Sequence, residues 1–191
     1  LDQGLRILAE QDRLTAPLVS LDGDSRVDAR YLSVLHRFFE PPASRWACVL
    51  PYAHPVEGSD AERAAILSYE LYLRYHALHL AWSGSPYAHH TIGSTMACTA
   101  EAYAAVSGMN RRLAGEDFYY LQQLAKTGKL EGLTGTVVRP SARPSQRAPF
   151  GTGQFVQRFL DGDLSECRLY HPDSYEVIRA WLQMATGDPA R

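Results

Sequence analysis

The sequence predicts an α/β layered domain, with a mostly parallel sheet flanked by helices. Three observations carry that expectation. Short apolar runs alternate with stretches of helical periodicity along the whole chain. The sharpest of those runs ends in an acidic turn, and in open α/β sheets the carboxyl ends of strands face the ligand. The composition is that of a globular protein, with 46% hydrophobic and 21% charged residues. At 191 residues the chain is long enough for one sizeable core and short for two, so 1–191 is read as a single domain.

Residues 1–13 carry Leu1, Leu5, Leu8 and Ala9 at helical spacing. No cap precedes them, and the pattern opens in its middle, as expected of an N-terminally truncated chain. The apolar run 16–21 predicts a buried strand, and Asp22-Gly23-Asp24-Ser25 a turn at its end. Asp28 is placed to cap a helix with Tyr31, Leu32, Leu35, Phe38 and Phe39 on its buried side, stopped by Pro41 and Pro42. Residues 46–50 read as a second buried strand. Ser59 and Asp60 open a long helix reaching about Trp82, with Ala64, Leu67, Leu71, Leu78 and Ala81 as its apolar stripe. Residues 91–99 read as a strand of small side chains and 100–106 as a short helix. A further helix starts near Gly115, buries Phe118, Leu121, Leu124 and Ala125, and ends at Gly128. Residues 130–138 form the last expected strand. The Pro-, Arg- and Gly-rich segment 139–153 is a loop, and 153–160 and 174–184 are the closing helices.

Charge and cysteine usage exclude several classes. With 19 basic and 21 acidic residues, the net charge of -2 lacks the basic excess of a general nucleic-acid binder. The longest stretch free of Asp, Glu, Lys and Arg, 75–100, holds four His, one Pro and two Gly, which suits no membrane span. The three cysteines lie far apart and form no CxxC, so a reducing, cytoplasmic setting is expected.

Several motifs carry chemistry. Asp22 and Asp24 put two carboxylates at i and i+2 on one turn, an arrangement suited to a hard cation such as Mg²⁺ or Mn²⁺ whose other ligands are phosphate oxygens. An ordinary acidic turn that caps the next helix has the same sequence. Glu116 and Asp117 follow Gly115 at a helix start. Acids there favour the helix dipole, and an ionised carboxylate there also suits a general base. Arg139, Arg143 and Arg147 recur every four residues in a segment where Pro140 and Pro144 prevent a regular helix. Guanidinium groups on such a loop suit a diphosphate, and a solvated basic loop is the alternative. His76 and His79 lie at i and i+3 without a third spaced ligand for zinc. His89 or His90 is a candidate for an acceptor pocket, and His171 for a further metal ligand. Cys98 reads as a buried core thiol.

In order and spacing these motifs resemble the C-terminal two-thirds of the catalytic domain of a family 2 glycosyltransferase. Leu21-Asp-Gly-Asp-Ser25 followed by Asp28-Ala-Arg-Tyr-Leu32 is similar to that family's DxD strand and next helix. Residues 91–103 resemble its strand–helix unit with a Gly-Ser turn. Ala114-Gly-Glu-Asp-Phe118 resembles its ED motif, and 139–153, ending Pro-Phe-Gly-Thr-Gly, a segment of one bacterial branch. The resemblance spans roughly residues 1–160 and implies a GT-A fold without its first nucleotide-binding β–α unit. It implies an inverting transferase that takes a nucleotide-sugar donor and a carbohydrate or lipid-linked hydroxyl acceptor. Asp24 would hold the divalent metal with Asp22 assisting, Asp117 would be the base supported by Glu116, and Arg143 and Arg147 would contact the diphosphate. A Gln-x-x-Arg-Trp segment of processive synthases is missing, which favours a non-processive enzyme. A cytoplasmic location, with peripheral attachment to the inner face of the membrane through a lipid-linked acceptor, is the matching expectation. Two other readings are open. Asp22-Gly-Asp24-Ser25 partly fits the nucleophile motif of a Mg²⁺-dependent haloacid-dehalogenase-type phosphatase, although Arg26 stands where that motif has Thr or Val. A non-catalytic nucleotide- or carbohydrate-binding fragment is the other.

Overall fold

The fold is taken from a computed structural model, which describes residues 1–41, 45–110, 115–146 and 149–187. In chain order the elements are α1 (Asp2–Glu10), β1 (Pro17–Ser20), β2 (Arg26–Val27), α2 (Tyr31–Phe39), β3 (Ala47–Val49), α3 (Asp60–Trp82), β4 (Met96–Thr99), α4 (Ala100–Ala105), α5 (Glu116–Thr127), β5 (Leu130–Gly132), β6 (Val138–Arg139), α6 (Thr152–Leu160) and α7 (Pro172–Thr186). They fall into two compact units, one made of Leu1–Pro55 and Thr91–Ser141, the other of Val56–His90 and Ala142–Arg191.

The first unit is built on a four-stranded sheet of order β1-β4-β3-β5. β4 runs antiparallel to both neighbours, with Ser20 opposite Met96 and Cys48 opposite Ala97, and only β3 and β5 are parallel. The mostly parallel expectation is therefore corrected to a mixed sheet. Strand–helix alternation signals parallel pairing only when each helix crosses back over the same sheet. Here α3, which separates β3 from β4 in sequence, packs instead on α6 and α7 in the other unit. The chain then re-enters the sheet running the other way.

Period-two alternation places this sheet between two apolar layers. Leu18, Ala47, Val49, Met96 and Cys98 face α1, α4 and α5, where Tyr103, Tyr120, Leu121 and Leu124 complete one cluster. Cys48, Leu50 and Ala97 face the opposite way, onto Tyr31, Leu35 and Phe39 of α2 and onto Val138. Cys98 is the buried thiol expected of it, with its Sγ 2.9 Å from the Tyr120 hydroxyl.

The expected strand 130–138 is two short strands with a turn between them, where Gly135 has φ +94°. β6 leaves the main sheet and pairs with β2. Asp28 holds that small sheet rather than capping α2. Its carboxylate accepts from the Thr136 hydroxyl at 3.0 Å, from Val137 N–H at 3.2 Å and from Arg30 N–H at 2.9 Å, while Arg30 takes the cap position without a side-chain bond. Leu32, assigned to the buried side of α2, is 75% exposed. Phe118, assigned to the buried side of α5, is exposed as well, and Tyr120 takes the inward place.

In the second unit, α3 begins at a capping box in which Ser59 Oγ accepts from Glu62 N–H and the Glu62 carboxylate accepts from Ser59 N–H. Its inner face is Ala65, Ile66 and Tyr69, packed with Phe155, Val156 and Phe159 of α6. The stripe expected to be buried, Ala64, Leu67, Leu71, Leu78 and Ala81, is exposed. α3 has two stripes of non-polar character, and the one bearing tyrosines and histidines is turned inward. Tyr75, His76 and His79 meet Tyr175 of α7, with His76 Nδ1 2.8 Å from its hydroxyl. Tyr75 donates to the Tyr170 carbonyl at 2.7 Å. No helix among the described residues is long and apolar enough to cross a membrane.

Candidate functional site

The arrangement that chemistry can use lies at one end of the four-stranded sheet. β1 delivers Asp22 there, and the turn that follows is closed by Ser25 N–H donating to the Asp22 carbonyl at 3.0 Å. This fold-back keeps the Asp22 and Asp24 side chains on one short turn, both exposed. The antiparallel register places the start of β4 beside the end of β1. The tight turn Gly93–Thr95 that leads into β4 is therefore a neighbour of the acidic turn. It is held by Thr95, whose N–H and hydroxyl both donate to the Ile92 carbonyl.

The third contributor is the first turn of α5. Gly115 enters it at φ +73° and ψ 14°, a left-handed conformation that glycine adopts without steric cost. The chain can then swing directly into the helix and set Asp117 in its first turn. Asp117 Oδ1 accepts from Phe118 N–H at 2.8 Å. Its Oδ2 points toward Gly93, where an added Cβ would lie 4.0 Å away and meet nothing else within that distance. Burial pushes the Asp117 carboxyl up to about 6, the bond from Phe118 partly opposes this, and the charges of Glu116 and Asp22 add to the rise. Asp117 and the acidic turn thus feel one another's field. A carboxyl at about 6 is ionised at neutral pH and basic enough to take a proton.

The structure therefore sets Asp117 within the field of Glu116 and Asp22, with Asp24 on the same turn as Asp22, all within the first unit. Sequence reasoning missed Gly93 as a part of this site. The signal was present as the Gly-Ser-Thr turn before β4, but a side chain that matters by its absence leaves no chemical mark. Ser94 is fully buried, and its hydroxyl has no hydrogen-bond partner among the described residues.

The remaining candidates belong to the second unit. His89 is partly buried, which pushes its imidazole below the usual histidine range and favours the neutral ring. His90 follows it with similar exposure. His171 is the N-cap of α7, where Nδ1 accepts from Asp173 N–H at 3.4 Å. Arg143 is exposed on a loop that folds tightly onto Gly153, with Ser145 N–H donating to the Gly153 carbonyl at 3.0 Å. A Cβ on Gly153 would come within 2.6 Å of Ser145 Cβ, so only glycine permits this approach. Arg147 lies outside the described residues. Comparisons with family models, with curated proteins and with solved structures gave no match to this chain.

Proposed function

We propose that this chain is an inverting, metal-dependent glycosyltransferase with a GT-A-type fold, which moves a sugar from a nucleotide-sugar donor to a hydroxyl acceptor. One observation carries the reading. A half-buried carboxyl raised to about 6 sits within the electrostatic reach of an exposed acidic turn, at the end of a sheet where strand carboxyl ends converge.

Asp22 and Asp24 suit a hard divalent cation by donor type. No group of three or more His, Cys, Asp or Glu side chains gathers for a metal among the described residues. Two carboxylates would then leave the other positions to phosphate oxygens and water, the usual habit of Mg²⁺. Bound there, the ion would neutralise the charge that collects on the departing nucleoside diphosphate. Asp117 does the proton chemistry. Phe118 N–H occupies Oδ1, which leaves Oδ2 to accept the acceptor's hydroxyl proton. The freed oxygen forms its bond to the anomeric carbon as the bond to the diphosphate oxygen breaks. A single displacement from the opposite face inverts the configuration.

The test is a screen of nucleotide sugars with Mn²⁺, read by binding and by transfer. Asp117→Asn keeps donor binding and loses transfer by ~10²–10⁴-fold, the usual contribution of a general base. Asp24→Asn loses Mn²⁺-dependent donor binding. Transfer by Asp117→Asn at the wild-type rate would end this assignment. Hydrolysis of an aryl phosphate that Asp22→Asn abolishes would replace it with the phosphatase reading.

A further inference from the structure

The exposed side of α3 carries a pattern that neither the site nor the core accounts for. Ala64, Leu67, Leu71, Arg74, Leu78 and Ala81 succeed one another at steps of three, four, three, four and three residues, and all six are exposed. Leu67 is 55%, Leu71 60% and Leu78 67% accessible, and Trp82 extends the stripe at 49%. A surface helix of a globular protein points its apolar stripe at its own core and repeats every 3.6 residues. A strict 3.5-residue repeat is instead the narrow seam by which one helix packs along another. We infer that this face of α3 is an interface between two copies of the chain, related by a two-fold axis with their α3 helices antiparallel.

The order of side chains selects that occupant. With the axis between Tyr72 and Leu73, Leu67 meets Leu78 of the second copy, Ala64 meets Ala81, and Leu71 meets Arg74. Large thus opposes large and small opposes small, as an isologous contact requires. Arg74 is tied to Glu70 one turn back on its own helix. Its charge is balanced there, and its aliphatic stem can lie over Leu71. A parallel pairing would set Arg74 against Arg74. A membrane surface fits less well. α3 has two basic residues, Arg63 and Arg74, against three acids, Asp60, Glu62 and Glu70, and no Lys, whereas helices that lie on anionic lipid are rich in Lys and Arg.

The test is sedimentation equilibrium of the whole chain across the micromolar range, with circular dichroism to confirm folding. The wild type sediments as a dimer. Leu71→Lys and, separately, Leu78→Glu weaken the dimer by at least ~100-fold, because the first sets a lysine against Arg74 of the second copy and the second buries a carboxylate against Leu67. Since Leu67 faces Leu78 of the other copy, Leu67→Lys combined with Leu78→Glu regains the dimer that either change alone destroys. A monomeric wild type overturns the inference, and a wild type that is monomeric in buffer but floats with anionic vesicles assigns the stripe to lipid instead. A dimer that persists in folded Leu71→Lys and Leu78→Glu places self-association elsewhere and equally overturns it.

Discussion

At the scale of single residues, Asp117 joins function to stability. Its ordinary value is 3.8 and its folded value about 6, with burial as the main cause. The folded state therefore holds a proton that the unfolded chain has released between those two values. The stability this brings is present in acid and is lost as pH rises through about 6. Above that, folding must bury a carboxylate that is already ionised in the unfolded chain, at a cost of at most about 3 kcal/mol. Asp117→Asn keeps an oxygen to accept from Phe118 N–H and removes the ionisation. It should be more stable than wild type at neutral pH, by up to about 3 kcal/mol, and this advantage should shrink at about pH 4.5. Thermal unfolding of both proteins at the two pH values checks it. A variant that is less stable than wild type at neutral pH would show that the carboxylate has a structural partner instead. The carboxyl that Asn removes is the one the transfer reaction would use, so a gain in stability with a loss of turnover is the mark of a functional acid. Asp22, Asp24, Glu116 and Asp117 were legible because carboxylates announce themselves by type and spacing. Gly93 was not, since its contribution is open space beside Oδ2.

At the scale of elements, boundaries were more legible than faces. Ser59 with Asp60, and Gly128, placed the start of α3 and the end of α5 to within a residue. The buried side of α3 was assigned wrongly because leucine outranks tyrosine and histidine in any reading of apolar periodicity. Here Tyr69, Tyr75, His76 and His79 pair their rings with Phe155 and Tyr175, and that stacking outweighs the hydropathy ranking. Asp28 was misread for a related reason. A cap is a local expectation, whereas its partners Thr136 and Val137 lie more than a hundred residues away. Gly128 illustrates what the sequence marks only as a helix stop. Its backbone is extended, with φ near -167°, so any residue can adopt it. A Cβ there would nevertheless approach the Trp46 ring to 2.4 Å. That contact lies close to the ring's root, so the indole cannot swing clear without disturbing the segment before β3. Gly128→Ala should cost ~1–3 kcal/mol, the usual range for overpacking, read as a lower denaturant midpoint with unchanged slope. An alanine variant with the wild-type midpoint would mean that Trp46 is free to move.

At the scale of the whole molecule, the α/β class was legible from alternating patterns, and the direction of β4 was not. Strand direction depends on where the preceding helix packs, which is a long-range property that no local period records. The resulting sheet has unequal strands, and this decides how stability is distributed. β3 and β4 are central, hydrogen-bonded on both sides, and nearly every residue in them is less than a tenth exposed. β1 keeps only Leu18 buried, β5 keeps none, and α1 has no buried residue at all. α1 is held to the unit by Leu5 and Leu8 against the core and by the Tyr103 hydroxyl donating to Asp2 at 2.6 Å. Local opening costs least where few apolar contacts are broken. Amide exchange at neutral pH should therefore rank β3 and β4 as the slowest segments of the first unit, with Cys48, Ala97 and Cys98 exchanging only through global unfolding, and α1 as its fastest helix. If α1 exchanged as slowly as β4, the sheet's two central strands would not be the seat of its stability. The ordering bears on the site, because Asp22 and the Gly93 turn are attached to opposite strands of the β1–β4 pair. The rigid member, β4, fixes the side facing Asp117. The edge strand β1 carries the acidic turn, which can then shift without loosening the core behind it, as the proposed binding of an ion and a diphosphate would require.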